Sequence, residues 1–268
     1  MFTAAFSSRP PIRRIATVLA ATGIAIGLLG SDALADRRAY GVTYEAVTAP
    51  RGELDVEVWS TIAPKGEVDG GPSSRGLRQM IELEYGITDR WDMALYNMLD
   101  VITSGDTESG YAGLKLETRY RPSDRGEWPI DPVFYLEFQQ LFRGDARQKY
   151  EAKLIVAKDV GSLNFAANLA VEEERTTEPA WNTEVEYAAG TSYAVTPAWS
   201  LGAEVFGKAE KDGMGGIHNR SWAGPAISWA HGGRGSLAGL WVTLAGGAGL
   251  GGDADAYYAR AVIGLQFH

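Results

Sequence analysis

Residues 257–268 read YYARAVIGLQFH. Counting back from Phe267, every second side chain is Leu265, Ile263, Ala261, Ala259 and Tyr257, while Gln266, Gly264, Val262, Arg260 and Tyr258 fill the gaps. A period of two puts these sets on opposite faces of an extended strand; a helix would repeat near 3.6. Chain ends are usually frayed and polar unless something ties them down. An alternating strand this close to the last residue is therefore expected to pair with another strand.

The same period recurs upstream. LRQMIELEY (77–85) sets Leu77, Ile81, Leu83 and Tyr85 against Arg78, Met80, Glu82 and Glu84. YAGLKLETRYR (111–121), YEAKLIVAK (150–158) and LNFAANLAVEEE (163–174) alternate in the same way. Counting such units predicts about twelve strands, near 53–62, 76–86, 91–102, 110–121, 132–142, 148–158, 162–174, 181–195, 199–210, 220–230, 236–247 and 256–267. A soluble β-sandwich also alternates, so the period alone leaves two architectures open. Strands near the 9–11 residues of a tilted transmembrane strand favour a membrane barrel. Aromatics placed where strands meet turns (Tyr85, Trp91, Tyr120, Trp128, Tyr193, Trp199, Trp229, Phe267) suit an interfacial girdle. Connections after even-numbered strands read as mostly tight turns and those after odd-numbered strands as generally longer, the periplasmic and extracellular pattern. The expectation is all-β: one transmembrane, antiparallel, up-and-down β-barrel of about twelve strands. An even count brings both strand ends to the periplasmic side, and the last strand is expected to close against the first, because lipid cannot satisfy an open edge.

At the other end, Arg9, Arg13 and Arg14 precede an apolar run, Ile15 to Leu29, and then Ala33 and Ala35. That order predicts a signal peptide, 1–35, removed on export, leaving 36–268 as the barrel domain. The apolar run is too short for the roughly 20 residues of a spanning helix. Removing three arginines and Asp32 moves the formal charge from −9 to −11, which argues against nucleic acid as a partner. There is no cysteine, so no disulfide frame holds the fold.

Four stretches, TYEAVTAPRGELDVEVWSTI (43–62), IELEYGITDRWDMALY (81–96), YAVTPAWSLGAEVF (193–206) and WAGPAISW (222–229), resemble an uncharacterised, porin-like family of Gram-negative outer-membrane β-barrel proteins. The resemblance implies residence in the bacterial outer membrane among its lipids, and insertion by the barrel assembly machinery through the aromatic-tipped last strand. It brings no catalytic residues.

Residues for chemistry are few. His218, in IHNRS with Asn219 and Ser221, is the one trace of a Ser–His–Asn lipid-hydrolysing set, but these residues are nearly consecutive at a loop end and read as polar loop. GAGLGG (247–252) matches a dinucleotide fingerprint in letters only, since a strand follows it where a helix is required. Asp253 and Asp255 offer too few oxygens for Ca²⁺. No enzyme activity, cofactor or metal is expected.

The polar face carries what remains. Arg78, Glu82, Glu84, Lys115, Glu117, Arg119, Glu137, Lys153, Glu184, Glu186, Glu204, Lys208 and Arg260 are expected to face the lumen. With Asp55, Glu57, Asp92, Asp100, Glu151, Glu172 and Glu174 added, inward acids outnumber inward bases fourteen to six. This reads either as a water-filled pore favouring small cationic solutes or as a lumen closed by ion pairs, such as Lys115 and Glu117 against Glu137. Twelve strands lie between filled eight-stranded and open sixteen-stranded barrels, so strand number does not choose. Ile263 is expected in lipid and Val262 in lumen water, so that arginine is tolerated at 262 but not at 263. Passive transport or envelope integrity is the expected role. The alternatives are a closed structural barrel, a barrel-embedded lipid enzyme and a soluble periplasmic β-sandwich binding protein.

Overall fold

The computed structural model describes residues 38–63, 75–104, 106–143, 146–177, 181–211, 216–231, 239–251, 254 and 257–267. The leader expected over 1–35, together with Asp253, Asp255 and His268, lies outside them. Twelve strands form: β1 (Leu54–Ala63), β2 (Arg75–Thr88), β3 (Trp91–Ser104), β4 (Asp106–Tyr120), β5 (Asp131–Leu141), β6 (Ala146–Val160), β7 (Leu163–Thr176), β8 (Trp181–Ala194), β9 (Trp199–Lys211), β10 (Ile217–Ala230), β11 (Leu240–Gly249) and β12 (Tyr257–Phe267). Each pairs antiparallel with its sequence neighbours, and β12 closes on β1 with Phe267 opposite Leu54. Closure gives the terminal strand its partner and leaves no edge.

Alternation decides which way each side chain points, and the arrangement is inverted relative to a soluble protein. Along β7 the first ten residues alternate exposed and buried. The exposed ones include Leu163, Phe165, Leu169 and Val171, and the buried ones include Asn164, Asn168 and Glu172. A water-soluble sandwich would bury the first set. An outer face of leucine, valine and phenylalanine suits hydrocarbon.

Two aromatic bands bound that face. Tyr85, Trp91, Tyr120, Tyr193, Trp199 and Phe267 are exposed around the end where β1 begins and β12 finishes, called here the near end. Tyr111, Phe142, Tyr150, Trp181 and Tyr257 are exposed toward the far end. Tyr111 and Tyr120 are nine positions apart on β4, about 30 Å of strand at ~3.3 Å per residue and about 23 Å along the axis for a ~40° tilt. That is close to the ≈25 Å apolar band of outer-membrane barrels. Trp128 is exposed in the segment after β4, whereas Trp229, although of outward parity, is buried beside Trp199 with ring centres 6.4 Å apart.

Connection lengths do not divide the two ends. Near-end connections include 161–162 but also 121–130 and 231–239, and at the far end β3 and β4 leave a single residue between them. The extra residues there have gone into longer strands.

The lumen is also drier than expected. Val262 faces inward but is fully buried with Trp59, Ala94, Tyr96, Ala230 and Trp241. The sequence reading expected an arginine to be tolerated there; the packing corrects this, because the charge would enter a close-packed aromatic cluster instead of water. Both Val262→Arg and Ile263→Arg should therefore fail to give the heat-modifiable folded form on a gel. The second places a charge in hydrocarbon, at about 2–4 kcal/mol near the midplane. Val262→Ala should fold. A folded Val262→Arg would mean that this layer is hydrated.

Candidate functional site

Residues 38–50 precede the first strand and lie inside the barrel, in its near half. They form no strand, so their backbone groups need partners from the wall. Glu204 of β9 supplies three of them. One carboxylate oxygen accepts Gly41 N–H at 2.9 Å, and the other accepts Val42 N–H, Thr43 N–H and Thr43 Oγ1–H at 3.0, 2.9 and 3.0 Å. Asn168 of β7 accepts from Tyr44 N–H at 2.6 Å and donates to Tyr44 C=O at 2.9 Å, the two-bond pattern of a strand partner provided by one side chain. Tyr40 donates to Asn164 Oδ1 at 2.8 Å, and Ala49 N–H to Asp92 Oδ2 at 2.9 Å. Burial raises the Tyr40 hydroxyl well above the usual phenol range, which keeps it a donor.

Two glycines make the seat. A Cβ on Gly190 of β8 would stand 2.5 Å from the Tyr40 ring. A Cβ on Gly41 would collide with Ala245 of β11. Tyr40, Tyr44, Ala46, Val133, Tyr135 and Ile155 then form an apolar cluster, with Tyr44 edge-on to Tyr135 at 5.5 Å. This segment is a plug, a role that its place in the barrel domain and in the 43–62 stretch of the family resemblance did not indicate.

Charges divide along the barrel axis. Around the plug, besides Glu204, stand six buried carboxylates, Glu53, Asp55, Glu57, Glu82, Glu84 and Asp92, with the cations Arg38 and Arg119 among them. Arg38 belongs to the plug: it lies 3.5 Å from Glu57 and 4.4 Å from the ring centres of both Tyr44 and Trp59. Burial opposes its charge, but Glu57 prevails and holds its pKa above the usual value. Arg119 chelates Asp92 at 2.7 and 3.0 Å, bonds Glu84 and approaches Glu117 at 3.5 Å.

Above the plug, toward the far end, a cavity of about 220 Å³ remains, floored by Val42 and Tyr44. Its lining has five cations, Arg78, Lys115, Lys153, Lys208 and Arg260, and four carboxylates, Glu137, Glu151, Glu172 and Glu186. Lys115 meets Glu137 at 2.8 Å, Lys153 meets Glu151 at 2.8 Å and Lys208 meets Glu184 at 3.0 Å. Arg78 chelates Asp100 at 2.8 Å.

Of the thirteen lumen residues named from sequence, Glu82, Glu84, Lys115, Glu117, Arg119, Glu137, Glu184 and Glu204 are buried. Arg78, Lys153, Glu186, Lys208 and Arg260 line the cavity. The sequence reading missed Lys149, which pairs with Glu172 and Glu174 at 2.7 and 2.9 Å, and Arg220, 3.2 Å from Glu210. Lys149 shares the parity of Glu151 and Lys153 on β6, and Arg220 stands opposite Lys208 of β9, so that signal was present. Arg38 had none, being outside any strand.

Three carboxylate triplets, Glu57–Glu82–Glu84, Glu151–Glu172–Glu186 and Glu172–Glu174–Glu184, bring oxygens within 4.8 Å of one another. Each is already faced by protein cations: Arg38 and Arg119 at the first, Lys149 and Lys153 at the second, Lys149 and Lys208 at the third. The charge that a metal would bring is present in the side chains. His218 has the opposite strand parity to Asn219 and Ser221, and those two bond Tyr187 instead, at 2.9 and 2.5 Å. The geometry of a Ser–His–Asn triad is not formed.

Residues 146–267 match DUF6662, a family of unknown function. The match takes in β6 to β12, hence Asn164, Asn168, Glu204 and Arg260, and leaves the plug and β1 to β5 outside. No curated protein matches the sequence. Among solved structures, a KdgM porin aligns over 80% of this chain and 99% of its own, with a TM-score of 0.52 and 8% identity. A KdgM porin in complex with disordered oligogalacturonate aligns over 80% and 98%, at 0.50 and 8%. The NanC porin aligns over 80% and 99%, at 0.47 and 10% identity. At the 8% identity of the KdgM pair the likeness is one of fold alone, that of a closed antiparallel β-barrel.

Proposed function

We propose that this protein is a porin-like barrel of the bacterial outer membrane, held shut by its own N-terminal segment. On this reading residues 1–35 direct export and are removed, the assembly machinery inserts the barrel, and the near end faces the periplasm. The paired aromatic bands and the apolar outer face support the membrane location. The observation that carries the closed state is the plug seated on Glu204 and Asn168. The plug is held by an apolar cluster and by hydrogen bonds to the wall, each hydrogen bond worth only about 0.5–1.5 kcal/mol net of water. Taken together they keep the lumen closed at rest, while a hydrated lumen still has donors and acceptors for every group released. The cation preference expected from an acid-rich lumen then belongs to the near half without its plug. Passive transport is gated, and among the described residues His218, Asn219 and Ser221 assemble no site that would support the lipid-enzyme alternative.

Gly190→Val tests this, since it puts methyl groups where the Tyr40 ring lies. Liposomes carrying the variant should swell in small neutral sugars several-fold faster than those carrying the parent protein. In a barrel already lacking residues 38–49 the same substitution should change nothing. An unchanged rate in the full-length variant, with Tyr40 displaced by spectroscopic criteria, would sink the proposal.

A further inference from the structure

Of the five cations that line the cavity above the plug, one stands without a carboxylate partner among the described residues. Arg260 Nε donates to Thr61 Oγ1 at 3.0 Å and Nη1 to Gly41 C=O at 3.0 Å. Its guanidinium lies 5.1 Å from the Trp59 ring centre and 5.2 Å from that of Tyr258. No carboxylate forms an ion pair with it among the described residues, and Nη2 makes no hydrogen bond there. The other four cations of the lining have carboxylates against them. Beside Arg260 stands an aromatic wall: Phe206 stacks on Trp222 at 5.7 Å and meets Tyr258 edge-on at 4.9 Å.

We propose that this cavity binds a small solute consisting of a ring that bears one carboxylate. The anion would take the unused edge of Arg260, whose fork suits a carboxylate. The ring would lie against Trp222 and Tyr258, aromatic faces that ring solutes pack on well. One guanidinium without a carboxylate partner matches a monoanion, and the acids of the lining disfavour a dianion such as phosphate. Size agrees: 220 Å³ lies below the ≈300–1,000 Å³ of drug-sized pockets.

Binding is measured calorimetrically on the intact barrel in detergent, so the result does not depend on whether the barrel conducts. The probes are benzoate and glucuronate, which separate an aromatic from a hydroxylated ring, with benzamide and glucose as their neutral counterparts. At least one carboxylate should bind, tenfold or more tighter than its neutral counterpart. Arg260→Gln should lose at least tenfold in affinity and Arg260→Lys less, both variants remaining heat-modifiable. Failure of both carboxylates to bind at tens of millimolar overturns the site. So does equal binding of the neutral compounds, or full affinity in folded Arg260→Gln.

Discussion

A barrel from which residues 38–49 have been deleted, with 1–37 kept and joined to Pro50, should carry at least ~10-fold more current across a planar bilayer than the intact protein, because an open lumen replaces one closed by packed chain. The intact barrel should stay near the baseline. Removing the plug also removes Arg38 and leaves Glu53, Asp55, Glu57, Glu82, Glu84 and Asp92 facing water with Arg119 as their counter-charge. The current should therefore prefer cations in dilute salt, and the preference should fade in concentrated salt, where the screening length falls to about 3 Å at 1 M. A deletion variant that folds and stays silent would mean that the far half is itself closed. Anion preference in dilute salt would contradict the charge layering.

Arg119→Met should be the most destabilising change in the wall, by about 3–5 kcal/mol, the cost of leaving buried carboxylates without their partner. Arg119 is 5% exposed and serves Glu84, Asp92 and Glu117 at once. Arg119→Lys keeps the charge but loses the fork and should recover only part. Urea unfolding in lipid vesicles measures both. Arg90 makes a comparable 2.7 Å contact with Asp124, but at a solvent-exposed turn, and Arg90→Ala should leave the midpoint unchanged. Without the plug, water reaches Asp92 and Glu84, so the Arg119→Met penalty should shrink. A loss no larger than that of Arg90→Ala would show this layer to be wet in the intact barrel.

These two results probe different levels of information in the chain. The strands were legible from residue order because a period of two is local: Leu163, Phe165 and Leu169 alternate with Asn164, Ala166 and Asn168 whatever lies across the lumen. The same parity places Arg78, Lys115 and Arg260 inside, and its reading only needed carrying further to include Lys149 and Arg220. It weakens where glycine replaces a side chain. β11, rich in glycine at its far end, was expected at 236–247 and is found at Leu240–Gly249.

Parity assigns a face but not what occupies the space in front of it. Glu204 reads as one more lumen acid from its strand, yet its partners are the N–H groups of Gly41, Val42 and Thr43, more than 160 positions away. Tyr40 to Pro50 has no strand period, and most of its hydrogen bonds go to wall side chains that only barrel closure brings near. The acid-to-base ratio of the whole lumen was likewise countable from the chain. Its division into an acid-rich layer around the plug and a nearly balanced cavity above was not. That division depends on how far up the barrel each residue stands relative to a segment outside the strands. Residue order alone established the barrel and the direction of its side chains. Folding in three dimensions settled that the lumen is half filled, because closing the sheet encloses the chain that precedes it.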